Sequence, residues 1–339
     1  MQHEITKRKK LLNESGDLSE PGYSKRLLLD YRRADIKASP LRIKEWDYYY
    51  IGNDEFGLAL TIADNSYMGL ISASLLDFRV PCEHTVSVME AFTRGRYRLP
   101  ETSLTGETLF GNKRVQMAFI VKEGKRHISC RFGDFLDGGT LEAEVELEDP
   151  NAESMVIATP FEKKKHFYYN QKINCMRATG RATLNGKTYE FTPDKSFGTL
   201  DWGRGVWTYD NTWYWGSGSG LDVKGEAFGF NIGYGFGDTS AASENMLFYK
   251  GKAHKLSRVD FNIPADSYVK PWTFTSDDGR FEMDFVPVID RQNLTNALVI
   301  MTDQPQVFGR FTGKAVLDDG AVIELKDYMG FAEKVRMKY

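Results

Sequence analysis

Residues 197–220 read FGTLDWGRGVWTYDNTWYWGSGSG, and this stretch holds four of the six tryptophans and six of the glycines of the 339-residue chain. Two strands joined by a turn at YDNT, residues 209–212, account for it, because Asp and Asn bond back to their own backbone in turns. Side chains alternate faces along a strand, so Trp213 and Trp215 share one face and Tyr214 takes the other. The same device recurs at EAFGFNIGYGFGD, residues 226–238. There Phe228, Phe230, Ile232, Tyr234 and Phe236 form a comb of side chains, and Gly229, Gly233, Gly235 and Gly237 leave the opposite face bare apart from Asn231. Bare strand faces occur where another sheet or a ligand approaches the backbone closely. Asn231 therefore either bonds a neighbour or projects into a cavity.

Working outward, strand patterns dominate. WDYYYIG, FGLALTIAD, SYMGLISASLLDF, RVQMAFIVKEG, RHISCRFGDF and LEAEVELED are short runs rich in β-branched and aromatic residues, separated by turn signals. Hairpins are expected at Asn185-Gly186, Lys250-Gly251, Asp278-Gly279 and Asp319-Gly320. Helices should be few and short, LLLDYRRAD near Leu28 being the best candidate. The expected fold is all-β, two antiparallel barrels side by side, since closing a sheet removes its adhesive edges. Length suggests two domains at about 150 residues each. The Pro-containing, polar stretch between Pro150 and His166 divides them, giving units 1–160, the first barrel with an N-terminal extension, and 161–339, the second barrel.

Composition narrows function. A net charge of −3 and a pI near 6.0 argue against nucleic acid as the main partner. No apolar run approaches the roughly 18 residues of a membrane span, and the N-terminus lacks an apolar core of signal-peptide length, so no stable membrane insertion and a cytoplasmic location are expected. Cys82, Cys130 and Cys175 are odd in number and far apart, which suits buried thiols in a reducing compartment. The histidines are scattered singly, so no metal is expected. GSGSG lacks the Lys-Ser/Thr of a phosphate loop, and GYGFGD is a poor dinucleotide fingerprint, so no cofactor is expected.

Rings and glycines together suggest a cavity wall, since glycine makes the room that rings line. Its candidate ligand-binding residues are Trp202, Trp207, Tyr209, Trp213, Trp215, Phe230, Asn231 and Tyr234. Asp201 and Arg204 lie inside this apolar stretch, where a carboxylate must be paired, hydrogen-bonded or shifted in pKa. Two readings stand: a structural Asp–Arg pair, or an acid or base in a cavity. Asp238 and Glu244, in the polar loop GDTSAASEN, complete the candidate catalytic set of Asp201, Arg204, Asp238 and Glu244.

YYNQKINCMRATGRATLNGKTYEFTPDKSFGTLDWGRG, Tyr168 to Gly205, resembles the lipocalin-like (calycin) superfamily of carotenoid hydratases, tocopherol cyclases and related bacterial and fungal cyclases. Gly180, Gly186, Tyr189 and Asp201 match the order of its motif residues. LDWGRGVW, WYWGSGSG, GFNIGYGFGDTSAASENMLFYKGKAHKL and GFAEKVRMKY are similar to a bacterial family of unknown function placed in that superfamily, a likeness covering most of the chain. The resemblance implies two lipocalin-like barrels with an apolar ligand site in or between them. Two functions follow as expectations. One is binding of a hydrophobic, lipid- or isoprenoid-like small molecule in an aromatic-lined cavity. The alternative is a cofactor-independent hydratase or cyclase with Asp201 as the acid.

Overall fold

Strict alternation builds the first sheet. In Gly139–Glu148, Leu141, Ala143, Val145 and Leu147 are buried, while Glu142, Glu144 and Glu148 face solvent. The fold comes from a computed structural model that describes residues 2–150, 152–297 and 300–338; between 293 and 303 only the backbone is described. The sheet runs from the edge strand Cys82–Ala91 through Met68–Asp77, Phe56–Asp64, Ile43–Gly52, Phe197–Val206, Phe167–Leu184, Gly139–Glu148, Lys125–Leu136 and Val115–Lys122 to Gly106–Gly111. Met155–Pro160 and Lys187–Phe191 attach to the long Phe167–Leu184 strand, and Gly22–Ser24 attaches to Met155–Pro160. The second sheet runs Lys252–Lys255, Met246–Tyr249, Ala227–Tyr234, Asp210–Leu221, Val322–Lys338, Ile300–Val316, Phe281–Ala297, Trp272–Ser276 and Val259–Asn262.

Both sheets are antiparallel and curl around their own cores, as two lipocalin-like barrels require. Leu58, Leu60, Phe119, Phe132, Leu147 and Trp202 are among the residues filling the first interior. The second is packed with rings: Phe311 lies 4.5 Å from Phe285, 4.9 Å from Phe230 and 5.3 Å from Phe274. Helical structure among the described residues is confined to two single 3-10 turns, Arg33–Asp35 and Pro40–Arg42. LLLDYRRAD is therefore not an α-helix; Leu29–Asp30 is a two-residue strand. Among the described residues no helix is long and apolar enough to cross a membrane. The three cysteines are free, with Cys130 buried, Cys175 half-buried and Cys82 exposed, so not all are the buried thiols expected.

The sheets hand over between Val206 and Asp210, so the division expected at residues 160/161 falls within the order of the first sheet. YDNT is not a hairpin turn: Asp210, Asn211 and Thr212 already belong to the strand Asp210–Leu221, which does not pair with Phe197–Val206. Phe197–Val206 pairs with Phe167–Leu184 and Ile43–Gly52, and Asp210–Leu221 pairs with Ala227–Tyr234 and Val322–Lys338. Asn185 and Gly186 have φ of 50° and 79° and form the expected tight hairpin turn.

A third packed layer lies between the barrels. Phe197–Val206 is buried along its whole length, because one face lines the first interior and the other meets the second sheet. Glycines make this close approach possible. A Cβ on Gly203 would lie 1.9 Å from the Trp46 ring, and one on Gly229 would lie 2.6 Å from the Cys175 sulfur. The bare face of the 226–238 comb is thus covered by the first sheet at Gly229 and Gly237.

Candidate functional site

Strand register assembles the site. Along Phe197–Val206, Leu200, Trp202 and Val206 enter the first interior, which turns Asp201 toward the second sheet. In the same row Asp201 stands between Lys172 on one neighbouring strand and Tyr48 on the other. Facing them, the second sheet aligns Gly233, Trp215, Glu333 and Gln306 in one row across four strands. Two rows from two sheets therefore meet in the layer between the barrels.

The polar groups of this layer are bonded to one another. Lys172 Nζ lies 2.8 Å from Asp201 Oδ1, and both side chains are buried, at 3% and 11% exposure. The same ammonium sits 3.9 Å above the Trp215 ring. Asn170 Nδ2 donates to Asp201 Oδ1 at 2.6 Å and to the Trp202 carbonyl at 2.9 Å. Trp215 Nε1 donates to Asn231 Oδ1 at 2.7 Å, and Asn231 Nδ2 donates to the Glu244 carbonyl at 2.9 Å. Glu333 accepts from Trp213 Nε1 at 3.2 Å and from Gln306 Nε2 at 3.1 Å.

Burial without a full counter-charge shifts the titratable groups of this layer upward. Burial raises the Glu244 carboxyl above its ordinary value, with Lys172 opposing and Asp201 adding to the rise. Burial likewise pushes Glu333 up to about 7, against the hydrogen bonds from Gln304 and Trp213 and the charges of Arg291 and Lys172. Tyr48 rises to about 12, again by burial. Among the described residues, neither Glu244 nor Glu333 has a cation within ion-pairing distance. The loop carrying Glu244 is pinned on both sides: Asn245 accepts from Gly233 N–H at 2.7 Å, and Lys255 Nζ donates to Ser243 Oγ at 2.9 Å and to the Asn245 carbonyl at 2.8 Å. Among the described residues no group of three or more His, Cys, Asp or Glu could hold a metal ion.

Of the residues singled out from sequence, Asp201, Glu244, Trp213, Trp215 and Asn231 come together in this layer. Arg204 does not. Three residues from Asp201, it points the opposite way, into the first barrel, where it pairs with Asp47 at 3.0 Å, donates to Pro100 O at 2.8 Å and covers the Trp202 ring at 4.3 Å. The partner of Asp201 is Lys172. Asp238 is exposed and caps the Ser240 N–H of its own turn at 2.9 Å, which lowers its pKa. Trp202 packs inside the first barrel against Tyr31 and Tyr169. Phe230 belongs to the second interior, and Tyr234 stacks on Tyr214 at 4.4 Å at its margin. Trp207 joins the aromatic packing between the sheets, and Tyr209 is 45% exposed. Sequence reading missed Lys172, Glu333, Tyr48 and Tyr168. The signal was a charge in register with buried rings, as Glu333 is with Phe331 in GFAEKVRMKY, but alternation alone assigns such a face to solvent.

The family model described as "Domain of unknown function (DUF2804)" matches residues 2–339. No curated protein matches the chain. Among solved structures, kievitone hydratase from Nectria haematococca superposes with a TM-score of 0.53 at 11% identity, covering 98% of both chains. An AttH-like protein of Nitrosomonas europaea gives 0.49 at 13% identity, over 90% of this chain and 96% of that one. CghA gives 0.45 at 11%, over 98% of each. At these identities the likeness is one of fold alone, the lipocalin-like architecture, and it is carried by the first of the three.

Proposed function

The chain belongs to the DUF2804 family, and from its inter-sheet geometry we propose that it is a cofactor-independent acid–base catalyst of the hydratase or cyclase type, acting on an apolar, unsaturated small molecule. One observation carries this reading. Two carboxyls raised by burial, Glu244 and Glu333, share a ring-walled layer with an Asp201 that is ion-paired to Lys172. A proton donor must keep its proton near working pH and still release it. Glu333, raised to about 7, meets that demand, and burial moves Glu244 in the same direction. Asp201 accepts from both Lys172 and Asn170, which fixes it as the carboxylate of the layer, so the acid's part passes from Asp201 to the glutamates. In hydration, a glutamic carboxyl protonates one alkene carbon, the oxygen of water bonds to the other, and the proton lost by that water goes to Asp201. In cyclisation a second double bond closes on the cation, and the proton lost goes to the same carboxylate. Trp213 offers a π-face to the cation. The fold shared with kievitone hydratase is in keeping with this, but fold alone carries no chemistry, so the reading rests on the layer.

Binding of a hydrophobic molecule without chemistry is the second reading, favoured by the Lys172–Asp201 pair, which can serve structure alone. The free thiols suit a reducing compartment, and the cytoplasm is the location we propose. Incubating the protein with isoprenoid and aryl alkenes in D2O separates the two. Catalysis places deuterium on carbon with the wild type and not with Glu244→Gln or Glu333→Gln. A compound that raises the Tm yet returns unlabelled refutes catalysis and leaves the carrier.

A further inference from the structure

The Phe236 ring lies in a box made of other rings. Its centroid is 4.7 Å from Tyr168, 5.1 Å from Trp213 and 5.2 Å from both Trp207 and Phe161. All four contacts are edge-to-face, with interplanar angles from 64° to 89°. Trp46 backs the box, stacked on Tyr168 at 6.0 Å and edge-on to Trp207 at 5.4 Å.

The ring reaches this box from a loop. The strand ends at Tyr234, and Phe236 stands between Gly235 and Gly237, at φ of 92° and 75°. Those are backbone conformations that glycine adopts freely and other residues resist. The Phe236 main chain makes no hydrogen bond to another described residue, and the nearest tether is Asp238 N–H to the Pro160 carbonyl at 2.8 Å. Phe230, by contrast, is held in the ladder between Gly218 and Leu247. Ring contacts, not the backbone, keep Phe236 in place.

The box also opens onto the acid layer. Trp213, one wall, donates its indole N–H to Glu333. Tyr168, another wall, is only 4% exposed, and its hydroxyl makes no hydrogen bond to a described residue. The charges of Glu244, Asp201 and Glu333 all act on that hydroxyl. A phenylalanine would fill the wall as well, so packing does not account for the hydroxyl.

We propose that this box is a ligand site which the resting chain fills with its own Phe236, and that it takes a ligand carrying a phenolic ring. The ring of the ligand replaces the four edge-to-face contacts of Phe236, and its hydroxyl partners Tyr168. This rests on the proposed function only in bringing the ligand beside Glu244 and Glu333; binding needs no turnover.

Titration of the full chain with p-cresol, read by calorimetry and by tryptophan emission, tests the site. The wild type binds weakly, because the ligand competes with the plug, and Phe236→Ala binds at least tenfold more tightly. In that variant p-cresol is preferred several-fold over toluene, and adding Tyr168→Phe abolishes the preference. A folded Phe236→Ala that binds p-cresol no better than the wild type overturns the proposal, as does a preference that survives Tyr168→Phe. Should Phe236→Ala fail to fold, photolabelling of the wild type with a diazirine-bearing phenol decides. Labels on the peptides holding Tyr168 and Trp207–Trp213 support the site, and labels elsewhere overturn it. Absence of turnover in these experiments counts against the proposed function alone.

Discussion

Asp201→Asn removes the charge that answers Lys172 and almost nothing else. The side chains are nearly isosteric, and the amide oxygen can still accept from Asn170. Lys172, only 3% exposed, is left without its partner at 2.8 Å. Removing one member of a buried ion pair typically costs about 3–5 kcal/mol, because the remaining charge stays desolvated. Two features place this case at the lower end, near 3 kcal/mol. The ammonium keeps its place 3.9 Å above the Trp215 ring, a contact worth up to about 2 kcal/mol when desolvated. Glu244 and Glu333 are also close enough to interact with Lys172. Urea unfolding near neutral pH, followed by both tryptophan emission and far-UV circular dichroism, measures the loss, provided that m is unchanged and the two probes coincide. Adding Lys172→Met should restore most of it, since a buried pair replaced by apolar groups is often neutral. A single variant that costs less than about 1 kcal/mol, or a double variant no more stable than the single, would refute the buried pair.

The other expectations concern neighbouring positions. Glu333 goes from its ordinary 4.5 unfolded to about 7 folded, so the folded chain keeps a proton that the unfolded chain releases, and wild-type stability falls as pH rises through that window, by up to about 3 kcal/mol. Glu333→Gln should flatten this fall in urea unfolding repeated across the window, whereas an unchanged slope would show Glu333 to be solvated. Gly203→Ala puts a methyl 1.9 Å from the Trp46 ring and should cost about 1–3 kcal/mol by overpacking, while Gly111→Ala, with nothing within 4 Å, should stay within about 0.5 kcal/mol of the wild type; equal effects would mean that the layer is loose. Arg204→Met strands Asp47 inside the first barrel and should cost about 3–5 kcal/mol while sparing turnover per folded molecule, and selective loss of kcat in a stable variant would return Arg204 to the site.

Much of the fold was legible because its causes are local. LEAEVELED forms a half-exposed strand since one face is apolar and the other acidic, and a chain has only one way to bury such a pattern in a sheet. Asn185-Gly186 turns wherever it stands, because its backbone geometry is set by two residues. The rings and glycines of residues 197–220 and 226–238 announced a close approach to the backbone, and the approaching object is a sheet.

The site was legible only in part. Strand parity could have separated Asp201 from Arg204, since an offset of three puts them on opposite faces, but parity does not say which face meets the other barrel. Asn170, Lys172 and Asn174 share a face that reads as solvated. It is buried because the second sheet closes over it. Glu333 is 161 residues from Lys172 along the chain, yet its pKa responds to that charge. Sequence by itself determined the strands, the turns and the need for a close-packed layer, because those follow from neighbours a few residues apart. Which polar groups lose their water, and which charges then answer one another, only the tertiary structure decided, because desolvation depends on surfaces brought together from distant parts of the chain.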